Sequence, residues 1–175
     1  APLEDQLNRK LTASPFIEEL KSDSAYAILF RSIENALNLY REENIPIQAE
    51  LAEESQKYGA LSAAQSIEHD GETITMQRAA LFLKETDESV RKEVFEKMGA
   101  RRREDFDKFD ALFDSLLKKR HQVALNAGFE NFRDYKLQAM GRFDYSVQDC
   151  RDFHQSVKST IVPIVKELQQ ERLNK

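Results

Sequence analysis

DESVRKEVFEKMGARRREDFDKFDALFDSLLKKRHQVALNAG, residues 87–128, carries the strongest periodic signal in the chain. Val90, Val94, Met98, Phe106, Phe109, Phe113, Leu116, Arg120 and Ala124 fall on one stripe at helical spacing. Asp87 is a residue type that caps helix starts, and Gly128 suits the position just past a helix end. The spacing therefore predicts one long helix, extending about 60 Å at 1.5 Å per residue. Its middle, from Arg101 to Asp105, loses apolar character, and there the helix is expected to leave the core or bend.

Downstream, a shorter helix is expected over 131–140. A long final helix should start at Ser146-x-x-Asp149, which has the form of a capping box. Its stripe is Cys150, Phe153, Val157, Ile161, Ile164 and Leu168, and Pro163 inside that pattern removes a backbone donor, so a kink is expected near Thr160. Upstream, Met76 to Leu83 reads as a helix capped by Thr75. The stretch from Ala64 to Thr75 differs: Ile67 and Ile74 flank His69-Asp70-Gly71-Glu72, and Asp-Gly favours a two-residue hairpin turn.

Earlier still, Ile47 to Tyr58 reads as a helix ending at Gly59. The break Glu43-Asn44-Ile45-Pro46 separates it from a helix over 24–41, whose stripe is Ile28, Leu29, Ile33, Ala36, Leu37 and Tyr40. Glu4 to Leu20 reads as a short helix and a turn at Ser14-Pro15. The expected fold class is all-α, a bundle of long and short helices with one small β-hairpin near residues 64–75. By region, 1–60 is a helical hairpin, 61–75 the β-hairpin and 76–175 the long-helix part.

Composition agrees, because 33% charged and 41% hydrophobic residues with only five glycines and four prolines leave little material for many short strands. The 26 basic and 31 acidic side chains are interleaved, giving −5, which argues against a nucleic-acid binder. The dense basic runs, Arg101-Arg102-Arg103 and Lys118-Lys119-Arg120-His121, are diluted by Glu104, Asp105, Asp107, Asp110 and Asp114. One cysteine, Cys150, excludes an internal disulfide and a cysteine-rich zinc module, so a cytoplasmic protein is expected. No apolar run approaches the ~20 residues that span a bilayer. The chain opens Ala1-Pro2-Leu3 without an initiator methionine and closes Glu171-Arg172-Leu173-Asn174-Lys175 with a helical pattern still running, which reads as an excised piece.

The residues that could carry chemistry form no complete site. A helical di-metal centre needs Glu-x-x-His, but Ser66, Lys118 and Arg151 stand three residues before His69, His121 and His154. Cys150 and His154, four apart, make half a transition-metal site, and Cys150 reads as a packing residue of its stripe. Catalysis by the same pair needs an exposed thiolate with a base in hydrogen-bond reach, a geometry that two residues on one helix rarely supply. His69 beside Asp70 has the form of a base with its orienting carboxylate, yet both fall where a polar turn is expected. Phe106, Phe109 and Phe113 could line an aromatic pocket, and at helical spacing they read as core. Arg101 to Arg103 could hold phosphate or an anionic peptide, with a solvated helix face as the plain alternative.

A series of motifs nevertheless resembles one family. The series runs Asp70-Gly71-Glu72-x-Ile74-Thr75, then Ala80-Leu81-x-Leu83 and Asp87-x-x-Val90-Arg91. It continues with Arg120-x-x-x-Ala124-x-x-x-Gly128-Phe129-x-Asn131-Phe132-x-Asp134-Tyr135, then Arg142-x-Asp144-Tyr145, Asp149-x-x-x-Phe153, Pro163 and Glu171-Arg172. In order and spacing it resembles oligoendopeptidase F, of the thimet-oligopeptidase-like zinc metallopeptidases, from about Thr73 onward. The first third is similar only as a helical region.

The resemblance implies a mostly helical enzyme with a deep channel that admits short peptides and excludes folded proteins. It implies zinc on a His-Glu-x-x-His helix whose glutamate activates the metal-bound water, with a further glutamate ligand downstream. No His-Glu-x-x-His occurs in these 175 residues. The expectation is therefore an N-terminal-side portion of the peptidase that forms a channel wall and is inactive alone. The resemblance assigns no catalytic, metal-ligating or substrate-binding role to any residue of this chain. Zinc belongs to the full-length parent, short peptides are its substrates, and the C-terminal catalytic part is the packing partner. Neither nucleic acid nor membrane is an expected partner. Two other readings are a helical protein-interaction module without catalytic activity and an RNA- or anion-binding domain built on Arg101 to Arg103.

Overall fold

Asn44, the first residue of a 20-residue helix, shows how the central part of the chain is tied together: its side-chain amide donates to the Val123 carbonyl at 3.0 Å and its oxygen accepts from Asn126 at 2.8 Å. The computed structural model describes residues 2–174. Contacts divide the chain into two units, 41–126 and a second made of 1–40 with 127–175.

In the central unit, α4 (Asn44–Ala63) runs antiparallel to α7 (Phe106–Asn126). Glu54 ties them midway, accepting from Ser115 at 2.9 Å and Lys119 at 3.0 Å, and Tyr58 meets Phe109 edge-on. Helix α4 departs from the sequence expectation at both ends. Pro46 lies inside its first turn, where the missing N–H has no intrahelical partner to lose. At the other end Gly59 is helical and the helix runs on to Ala63.

The hairpin follows as β1 (Ser66–His69) and β2 (Glu72–Thr75), antiparallel, with Ile67 opposite Ile74. Asp70 and Gly71 both take positive φ, 51° and 78°, the twist that matches right-handed strands. The hairpin lays Ile67 and Ile74 on α5 (Met76–Phe82) and α6 (Glu88–Glu104), closing a core with Met76, Ala79, Val94 and Met98. Thr75 and Asp87 cap those two helices through backbone N–H groups of Arg78 and Ser89.

The single helix expected over 87–128 is two helices. They part at Asp105, whose backbone at φ −103°, ψ 5° leaves the helical region. Its carbonyl accepts from the N–H groups of Lys108 and Phe109 and so starts α7. Gly128, at φ 88°, turns the chain after α7.

In the second unit, α1 (Pro2–Thr12) and α2 (Ile17–Ser22) precede a 3-10 turn (Ser24–Tyr26) and α3 (Ala27–Leu39). Ile17, Phe30 and Ile33 form its core with Leu37 against them. α8 (Phe132–Ala139), capped by Asn131, joins α3 through Asn35, whose amide donates to the Gln138 carbonyl. Arg31 stacks 4.6 Å over Phe143 and pairs with Asp144 at 3.2 Å.

The last part reads as the sequence expects in one respect and differs in another. α9 (Val147–Ser156) starts in a complete Ser146–Asp149 capping box, and a π-turn (Val157–Ile161) precedes α10 (Val162–Leu173) just ahead of Pro163. The widened turn accommodates the proline ring and its missing donor. The apolar stripe is not buried among the described residues: Phe153 is 66% and Leu168 55% exposed. Periodicity shows which residues share a face, whereas burial also needs an element to cover it.

Candidate functional site

The central unit carries an open groove of 610 Å³ beside the α6/α7 break. Phe109 and Tyr58, with ring centroids 5.5 Å apart, form one side. Met76 and Met98 contribute its apolar floor, and Gln65, Gln77 and Arg102 its polar edge. A second groove of 450 Å³ shares Tyr58 and Phe109 and continues along Phe113 and Leu116 to Asp110 and Arg120.

Phe106, Phe109 and Phe113 are thus not core as their spacing suggested. Phe106 is 60% and Phe113 59% exposed, while Leu116, Val123 and Ala124 of the same helix are buried. The inward side runs at three- and four-residue steps from Val94 through Met98, Asp105 and Leu116 to Val123, and Phe106 and Phe113 each stand one residue off that line.

Asp105 organises the groove's edge. Its buried carboxylate accepts from Arg101 at 2.6 Å, Lys108 at 2.7 Å and the Gln65 amide at 3.2 Å. These donors, Lys108 first, then Arg101 and Gln65, hold the carboxyl far below the usual range. Gln65, just before β1, is thereby fixed at the groove. Nothing local in the sequence marks it, because its partner is 40 residues away. Of the three phenylalanines that could have lined an aromatic pocket, Phe109 lines this groove, Phe109 and Phe113 the adjoining one, and Phe106 neither.

The basic run is divided by this arrangement. Arg101 belongs to Asp105, with Glu104 at 3.5 Å, whereas Arg102 faces the groove. On α4 and α7, Lys119 and then Ser115 lower the Glu54 carboxyl in the same manner.

The His69–Asp70 pair does not form a base with its orienter. Asp70 occupies the turn as expected, but His69 ends β1 with its ring buried edge-on to Phe82, at 4.4 Å between centroids. Its Nε2 lies 3.6 Å from Asp70 and its Nδ1 3.9 Å from Glu93, both beyond hydrogen-bond length. Nδ1 is buried without a hydrogen-bond partner among the described residues. Glu93 instead binds Lys97 at 2.5 Å. Cys150 is a half-buried free thiol and His154 is exposed. Among the described residues no three His, Cys, Asp or Glu side chains gather as a metal ion requires.

The sequence model of peptidase family M3 matches residues 81–175. No curated protein gives a significant match. Similar solved structures include a protein assigned as oligoendopeptidase F from Bacillus anthracis str. Ames, 29% identical over 95% of this chain, with a TM-score of 0.87. Another structure assigned as oligoendopeptidase F is 26% identical over 97% of this chain, at 0.88. PZ peptidase A, solved with an inhibitor, is 28% identical over 97%, also at 0.88. This chain spans 30% of the length of each.

Proposed function

The chain belongs to peptidase family M3, whose match takes in more than half of its residues, and from that membership we propose that it is the N-terminal-side portion of a zinc-dependent oligoendopeptidase that hydrolyses short peptides. In this reading the chain forms part of the wall of the substrate channel and is inactive by itself. The observation that carries it is the likeness to proteins assigned as oligoendopeptidase F across 95% or more of this chain.

The residues present do not fit zinc. His69 is buried against Phe82, and Cys150 and His154 have no third donor group beside them among the described residues. The proposal therefore assigns the metal and the reacting groups to the remainder of the parent. The exposed stripe on α9 and α10 supports this, because an apolar face of Phe153, Ile161, Ile164 and Leu168 needs a partner surface. A cytoplasmic location belongs to the same reading, on the free Cys150 thiol. No helix among the described residues is long and apolar enough to cross a membrane.

The test is hydrolysis of internally quenched peptides by the full-length protein. Cleavage should stop with a chelator and return with zinc, and residues 1–175 alone should show none. Metal-independent cleavage, no cleavage by the full-length protein, or cleavage by residues 1–175 alone would each overturn the proposal. The downstream coding sequence should also reach a His-Glu-x-x-His helix.

A further inference from the structure

Resting on the peptidase reading, we propose that Arg102 binds the terminal carboxylate of a short peptide whose last, apolar side chain lies in the groove beside Tyr58, Met98 and Phe109. Arg102 carries the lone charge among the described residues that line this groove. The remaining lining is apolar or uncharged, its polar groups being the hydroxyl-bearing Tyr58 and Ser62 and the amide-bearing Gln65 and Gln77, of which Gln65 already donates to Asp105.

Its neighbour Arg101 is committed to Asp105, but Arg102 has no carboxylate within ion-pair distance among the described residues. Asp105 is already occupied by three donors. Arg102 is exposed at the mouth of the groove, so its guanidinium is open to an incoming ligand. A planar carboxylate, accepting two parallel N–H bonds, is the ligand that matches it. The adjoining groove is lined by one acid, Asp110, and one base, Arg120, so it carries no net charge. Short peptides bring a terminal carboxylate next to their last side chain, the spacing that an arginine beside an aromatic pair can accept. A groove of 610 Å³ holds a few residues of such a peptide.

The experiment is calorimetric titration of the full-length protein, with a chelator present to stop turnover. The probes are Gly-Ala-Ala-Ala-Phe as free acid, the same peptide as C-terminal amide, and Gly-Ala-Asp-Ala-Phe amide. The free acid should bind about tenfold more tightly than either amide, the scale of one charge-assisted pair. Arg102→Gln should abolish that ratio, Arg102→Lys should keep part of it, and Arg103→Gln should leave it intact. Persistence of the ratio in R102Q, equal loss in R103Q, or equally tight binding of the aspartate-containing amide would overturn the assignment. Cleavage of quenched peptides by the same wild-type protein, without chelator, is scored separately. Its absence would sink the peptidase reading and leave the titration to decide Arg102.

Discussion

The Arg101 guanidinium reaches the Asp105 carboxylate at 2.6 Å, one helical turn along, at the point where α6 gives way to α7. A carboxylate in the middle of a charged run is the structural anchor of the central unit. Its other ties run to Lys108 on α7 and to Gln65 beyond the end of α4, so one buried side chain joins three segments.

Replacing this carboxylate should therefore destabilise more than a surface charge change. Asp105→Asn keeps the shape but takes from the part-buried Arg101 its shorter ion pair, at 2.6 Å, and leaves it only the more exposed Glu104 at 3.5 Å. The melting temperature is expected to fall by several degrees, whereas Asp107→Asn, at an exposed position, should leave it nearly unchanged. Thermal melts followed by circular dichroism decide between them.

The same group sets an acid sensitivity. Its folded pKa is depressed, chiefly by Lys108 and then by Arg101 and Gln65. Its contribution is therefore fully present above the unfolded carboxyl value of about 3.9 and is lost as pH falls toward the depressed folded value. Denaturant midpoints should hold from pH 7 to about 5 and decline below about 4. Asp105→Asn should flatten that decline in part. An unchanged acid slope in the variant would contradict the assignment.

Val94 is fully buried between the hairpin and α5. Val94→Ala removes two methyl groups and leaves a small void, a loss of about 2 kcal/mol in unfolding free energy. Urea titration should show a lower midpoint at unchanged slope.

His69 invites the opposite outcome. Its Nδ1 is buried without a hydrogen-bond partner among the described residues, and the ring packs on Phe82. His69→Leu removes that unsatisfied atom from the core and should be neutral or stabilising at pH 7. A marked loss of stability would instead show that the long contacts to Asp70 and Glu93 matter.

The uncovered stripe on the last helices should make residues 1–175 bind a hydrophobic dye and self-associate. Phe153→Ser with Leu168→Ser should reduce both, with little change in melting temperature, because neither side chain is buried. Dye fluorescence and sedimentation read the two effects, and a large fall in melting temperature would contradict the exposure.

Much of the secondary structure was legible because its causes are local. Thr75, Asp87, Asn131 and Ser146 each cap a helix through a backbone N–H within three residues. The Asp70-Gly71 turn needs only two residues that tolerate positive φ. Pro163 likewise disturbs the turn just before it. Gly59 misled because it is a weak local signal that the long contact of α4 with α7 outweighs, whereas Pro46 is tolerated where it stands, in the first turn of the helix.

Local chemistry in the chain was enough to specify a mostly helical fold with one hairpin, the residues that share each helix face and, through the motif series, the likeness to a peptidase family. The loss of apolar character over 101–105 pointed to a bend, but the tertiary structure settled that the helix ends there, that Phe106 and Phe113 stay outside, and that Arg102 rather than Arg101 faces a groove. Caps and turns are settled by neighbours a few residues away. Burial and ion pairing are settled by partners such as Gln65, brought close only when the chain has folded.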